Sequence, residues 1–160
     1  MTTKAKPVDA WALWQRLGGS ALGRRVFSTL FAQKAPYFAT IRPEFAHVRP
    51  NHAEVRIRLR RSVKNHLGTL HAIALCNGLE AAMGVMAEVT CPPELRWIPK
   101  GMDVRYTAKA SGDVVCVADT DPEQWTSGDP ALPVRVRGTL ADGTVVIEGT
   151  IHLWVTPRRT

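Results

Sequence analysis

Cysteine is scarce and scattered in this chain. The three residues, Cys76, Cys91 and Cys116, are odd in number and form no Cys-x-x-Cys pair. That argues against a disulfide framework and a cysteine-based zinc site, and the apolar surroundings of each predict buried free thiols. Histidine gives no metal pattern either. His66 and His71 are five apart, where a spacing of four would stack them on one helix face. No metal and no cofactor is expected. No apolar run approaches the length that crosses a bilayer, so no membrane partner is expected. The basic start, Met1 to Lys6, leads into a stretch broken by Asp9, Gln15 and Arg16, which does not read as a secretory leader. A cytoplasmic location follows as the expectation. Internal repeats and low-complexity segments are absent as well.

Acidic residues are also in deficit, 14 against 21 Lys and Arg, for a formal charge of +7 that favours an anionic partner. No basic helix, aromatic-basic interleaving or finger motif accompanies that charge, so nucleic acid is not the expected partner. Much of the excess is Arg56, Arg58, Arg60 and Arg61, alternating along one expected strand. Two readings stand: a solvated sheet face, or contacts to a phosphate-bearing small molecule such as coenzyme A.

What is present suits one globular unit. At 160 residues, with 45% hydrophobic and 22% charged, the chain is long and apolar enough to bury a core. Asp9 is placed to cap a short helix through Leu17, ended by Gly18-Gly19, and Ser20 a second one. In the second, Leu22, Val26, Phe27, Leu30 and Phe31 form an apolar stripe, and Pro36 stops it. From Phe45 the period changes to two. Val55, Ile57 and Leu59 alternate with arginines, Met102, Val104 and Tyr106 with polar residues, and Val134 and Val136 with Arg135 and Arg137. Val114 to Ala118 is apolar on both faces, and Ile147, Ile151, Leu153 and Val155 share one face of a last long strand. Pro92-Pro93, Ser111-Gly112, Ser127-Gly128-Asp129-Pro130 and Asp142-Gly143 punctuate these runs, the last as a hairpin turn.

One helix interrupts the strands, from about Leu70 to Val89, with Thr69 as the expected N-cap. Ala72, Leu75, Cys76, Leu79, Met83 and Met86 supply its stripe, and most of the rest is Ala and Gly. A helix apolar nearly all round is expected to be buried on most sides. The pattern is α+β: a curved antiparallel sheet around a long central helix, with an N-terminal helical extension over 1–40 and the main domain over 41–160.

Just before and along that helix lie Asn65, Gly68 and His71, then Glu80 nine residues after the histidine. This loop and helix resemble the hotdog-fold acyl-CoA thioesterases of the phenylacetate-degradation type, which carry Asn, Gly and His-Gly-Gly entering the helix and an acid nine residues on. Trp97-Ile98-Pro99-Lys100-Gly101-Met102 resembles a segment of an uncharacterised hotdog branch. The resemblance spans roughly Phe45 to Pro157. It implies hydrolysis of an acyl-CoA thioester to acid and coenzyme A. Two positions depart from it: His-Gly-Gly is His71-Ala72-Ile73 here, and Gly84 stands where some relatives hold a Ser or Thr.

Spacing adds a constraint. Nine residues at about 100° and 1.5 Å each put His71 and Glu80 on opposite helix faces, about 13.5 Å apart along the axis. One chain does not bring both to one carbonyl, whereas two helices packed across a dyad do. A homodimer or dimer of dimers with shared sites is therefore expected. In that site Glu80 is the general base or nucleophile, Ala72 offers a backbone N–H to the developing oxyanion, Asn65 orients water or carbonyl, and His71 polarises the substrate or holds the loop. Gly68 lets the loop approach, and Lys100 and Arg105 are candidates for the phosphates on charge alone. The structural alternatives are a Glu80 tied to a backbone group or histidine, and Asn65 and His71 as turn and helix-start residues. Two other functions stay open: a non-catalytic hotdog module binding acyl-CoA or a related acyl ligand, and hydratase chemistry. The second is less supported, because no proline-glycine loop precedes the helix.

Overall fold

The computed structural model describes residues 9–126 and 131–158; the Met1–Lys6 start and the expected Ser127–Pro130 turn lie outside them. Elements run α1 (Ala10–Leu17), α2 (Ala21–Lys34), β1 (Glu44–Arg49), β2 (His52–Ile57), α3 (Ala72–Thr90), β3 (Leu95–Tyr106), β4 (Val114–Asp119), β5 (Leu132–Thr139) and β6 (Val145–Pro157). The six strands form one antiparallel sheet in the order β1-β2-β4-β5-β6-β3, so β1 and β3 are its edges. Helix α3 lies across its inner face, mainly over β2 and β4. β4, between β2 and β5, keeps apolar residues on both faces, as expected of a central strand.

The helix starts are as the sequence predicts. The Asp9 carboxylate accepts from the N–H groups of Trp11 and Ala12 at 2.9 and 3.2 Å, and Ser20 Oγ accepts from Gly23 N at 3.0 Å. The α2 stripe holds at Phe27 and Phe31 and is corrected at Leu22, Val26 and Leu30. The side facing the core is Gly23, Phe27 and Phe31, and Phe27 stacks edge-on against both Trp14 and Phe45. Leu22, Val26 and Leu30, one position out of that register and so about 100° round the helix, are 72%, 42% and 41% exposed. Trp14, Phe27 and Phe45 join α1 and α2 to the core that fills the space between α3 and the sheet.

Three further expectations change. The arginine-bearing strand stops at Ile57, and Leu59 leaves the ladder to donate its N–H to Asp113 Oδ1 at 2.9 Å; Arg58, Arg60 and Arg61 therefore lie beyond the strand. Of the cysteines, all free, only Cys116 is fully buried; Cys76 and Cys91 are half-buried. Burial, then the nearby Cys76, pushes the Cys116 thiol up to about 12. Finally, α3, at 19 residues with a mean hydropathy of 1.4, is long and apolar enough to cross a bilayer. The Ala- and Gly-rich stretch around its leucines and methionines reaches that length without a continuous bulky run. Here the helix is the core helix under the sheet, and Leu79, Ala81, Ala82, Met86 and Ala87 have no exposure.

The hairpin at Asp142-Gly143 forms. Leu140 N donates to Thr144 O at 2.9 Å and Gly143 N to Leu140 O at 3.0 Å, with Gly143 at φ 86°. The loop ahead of α3 repeats this construction: Asn65 N donates to Thr69 O at 2.9 Å and Gly68 N to Asn65 O at 3.1 Å, with Gly68 at φ 78°. Each is a tight turn closed by a glycine in the left-handed region, where a side chain is disfavoured.

Candidate active site

The loop from Asn65 to Thr69 is built around the Asn65 amide. Its Oδ1 accepts from Leu67 N at 3.0 Å and Thr69 N at 3.2 Å, while its Nδ2 donates to Thr69 Oγ1 at 2.9 Å. Asn65 thus holds the loop rather than projecting from it. Gly68 is set by its backbone angle, since a Cβ there would meet nothing within 4 Å. Thr69 is drawn into this network and does not cap the helix. The N-cap is His71, whose Nδ1 accepts from Ile73 N at 3.1 Å. An accepting Nδ1 leaves the neutral ring with its proton on Nε2. His71 N is pinned to Val63 O at 2.8 Å, and Leu70 N to Ala110 O at 3.0 Å, which fixes the helix start against the chain on both sides. The N–H of Ala72 has no acceptor among the described residues. It is a free donor in the first turn, where the helix dipole favours negative charge.

One long face of α3 is not covered by the sheet. Ile73, Cys76, Asn77, Glu80 and Gly84 recur along it at helical spacing, all exposed or half-buried, while Leu79, Ala82, Met83 and Met86 are buried. Glu80 sits midway, and no hydrogen bond or ion pair engages its carboxylate among the described residues. Each flank of this face has a wall. On one side is β3: Tyr106 Oη lies 3.2 Å from Cys76 Sγ, and a Cβ on Gly84 would lie 3.8 Å from Trp97. The contact with Cys76, then burial, raises the Tyr106 phenol to about 12, so it stays protonated. On the other side are the end of α2 and the segment after it: Lys34 Nζ pairs with Glu88 at 3.1 Å, and Asn77 Nδ2 donates to Tyr37 Oη at 3.3 Å.

Within one chain the structure gathers Asn65, Gly68, His71 and Ala72 at the helix start and leaves Glu80 more than two turns along. Lys100 is exposed and is the extra residue of a bulge in β3, where the pairing skips from Pro99 to Gly101. Arg105 is not brought to this face. It neighbours Tyr106, which points to α3, so it projects from the opposite side of the sheet, 3.9 Å from Glu148. Sequence reasoning missed Tyr106 and Cys76 as neighbours of the site. Cys76 was detectable, being one turn before Glu80; Tyr106 was not, because it arrives from another element.

The family model for DUF4442, a domain of unknown function, matches residues 23–155. The chain belongs to the DUF4442 family. Among solved structures, a structural-genomics protein designated APC5556 is 40% identical, with a TM-score of 0.81, over 95% of this chain and all of that one. A Pseudomonas aeruginosa protein of unknown function, PA5026, described as a probable thioesterase, is 20% identical with a TM-score of 0.74, over 81% of this chain and 92% of that one. A thioesterase family protein from Silicibacter pomeroyi is 18% identical with a TM-score of 0.68, over 82% of this chain and 96% of that one. A search of curated proteins finds no match. This DUF4442 member therefore has the hotdog fold, as the loop and helix implied.

Proposed function

We propose that this protein hydrolyses an acyl thioester, with acyl-CoA as the substrate, at a site shared by two protomers of a homodimer. The observation that carries the reading is the unpartnered, half-buried Glu80 on the open face of α3. A carboxylate on a core helix ordinarily has a partner. Here the face that holds it is flanked by the unpaired edge of β3, which is where a second copy would join.

In the proposed site the thioester oxygen lies at the start of α3, near the N–H of Ala72 and the Nε2–H of His71. Both donors strengthen as the oxygen becomes negative. Glu80 of the other protomer takes a proton from water. The resulting hydroxide adds to the carbonyl carbon, the C–S bond breaks, and the thiolate leaves and is protonated, giving acid and free thiol. Asn65 and Gly68 hold the loop that presents these donors. Lys100, exposed on the β3 bulge, is assigned to the coenzyme A phosphates in this reading on its charge alone.

Release of free thiol from a panel of acyl-CoAs tests the reading. Hydrolysis by the wild type that is lost in Glu80→Gln supports it. Equal rates in the two proteins would sink it, and saturable binding without turnover would mark a ligand-binding module instead.

A further inference from the structure

A groove of about 990 Å³ runs between α2 and the β1 edge, at the opposite edge of the sheet from β3. Arg24 and Arg25 line its helix side, and Arg42, Arg56 and Arg58 its sheet side, with Glu44 between them. Glu44 neutralises Arg58 at 2.6 Å, and Arg24 donates to Gly18 O at 3.1 Å. The side chains of Arg25, Arg42 and Arg56 make no hydrogen bond or ion pair among the described residues, although Glu44 stands opposite Arg56 across β1 and β2.

This crowding is built in. Arg42 holds a left-handed backbone angle, φ 45°, unusual for a residue with a side chain. Next to it the guanidinium of Arg60 keeps a buried Nε without a partner while donating to Thr40 O at 3.1 Å. Burial, then repulsion from Arg42, lowers the Arg60 pKa. The fold thus gathers like charges from three segments around one concavity and supplies a single carboxylate. Of the rings along it, Phe45 is 2% exposed, and the His47 imidazole is the exposed one. Guanidinium forks match phosphate oxygens two at a time, and the volume is within the range of small-molecule sites, roughly 300–1,000 Å³.

We infer that this groove binds a small anion carrying two or more phosphate groups. The inference does not depend on the thioester reading, because its residues lie on α2, on β1 and β2 and in the segments next to those strands, and not on the open face of α3. Calorimetric titration of the full chain with inorganic pyrophosphate tests it, with adenosine 3′,5′-bisphosphate as a second arm. Saturable one-to-one binding is expected, weakened about tenfold in each of Arg25→Ala and Arg56→Ala. Arg137→Ala, an equal loss of charge on β5, is expected to bind like the wild type. Equal affinity for the two probes would mean that phosphate alone is read, and tighter binding of the second that the ligand carries a nucleoside. Absence of saturable pyrophosphate binding would overturn the inference. So would an equal loss in Arg137→Ala, which would reduce the effect to net charge.

Discussion

The two edges of the sheet are treated differently. β1 is six residues long, breaks register between Phe45 and His47, and lies under α2, where Ser28 Oγ accepts from Phe45 N at 3.1 Å. These are devices that keep an edge from pairing with another chain. β3 is 12 residues long and has β6 on one side only. Its devices of this kind, Pro99 and the bulge at Lys100, sit together near its middle, and Ile98 and Tyr106 are 53% and 51% exposed along it. The interior follows the same division: α3 lies over β2 and β4, while the inner side chains Trp97, Met102 and Val104 of β3 are only partly buried. One half of the molecule is closed by its own chain. The other half, which holds Glu80, has the unpaired strand and uncovered helix face that a second copy would complete in the proposed dimer.

Charging the open edge should have the largest effect. Ile98→Asp with Tyr106→Asp replaces two exposed side chains, so the protomer should still fold. Like charges set against their own copies should give a monomer in sedimentation, and hydrolysis should fall about 100-fold or more because each site loses half of its residues. Retention of a dimer by this variant would break the comparison. Glu80→Gln is next. Hydrolysis should fall about 10²–10⁴-fold with mass and melting temperature unchanged, which separates loss of chemistry from loss of assembly. A melting temperature that moves with the rate would assign Glu80 a structural role.

Most of the fold was legible because its signals are local. Asp9 and Ser20 are caps whose partners lie within three residues, and Asp142-Gly143 carries its own turn. The alternating strands and the small-residue helix needed only period and composition. What escaped depends on distant partners. The Leu22, Val26 and Leu30 stripe has the spacing of a buried face, but the space under α2 is taken by Phe27, Phe31 and Phe45. Thr69 has the chemistry of a cap and is captured by Asn65, leaving His71 to cap α3. The neighbours of Glu80 along α3 follow from spacing alone. The side of the sheet that Arg105 faces depends on the register of β3 with β6, and Tyr106 reaches Cys76 across 30 residues.

Substitutions of moderate effect probe the closed half. A Cβ on Gly78 would lie 2.7 Å from Cys116 Sγ and 2.8 Å from Ile57 Cγ1, both fully buried. Gly78→Ala should therefore cost about 1–3 kcal/mol of stability by overpacking, despite the better helix propensity of alanine. A denaturant titration with an unchanged midpoint would show that the helix is not pressed onto β2 and β4. Ser28→Ala leaves Phe45 N without its acceptor and should cost about 0.5–1.5 kcal/mol. If stability is unchanged, the β1 edge is protected by α2 as a whole and not by this bond.

The smallest effect has the opposite sign and comes from the open half. Gly84 is on the same helix as Gly78, but a Cβ there would approach only Trp97, at an ordinary contact distance of 3.8 Å. Nothing local opposes alanine, so its helix propensity should prevail and Gly84→Ala should stabilise the protomer by about 0.5–1 kcal/mol. The face it occupies is also the one that carries Glu80 one turn earlier. The added methyl should therefore be harmless to folding and felt, if anywhere, where substrate or a second protomer approaches. Higher denaturant resistance with a raised KM or a weakened dimer would place the functional surface on this face. Higher resistance with both unchanged would move the contact elsewhere on α3. Lower resistance would mean that the space beside Trp97 is filled, and that the two halves of the helix are packed alike.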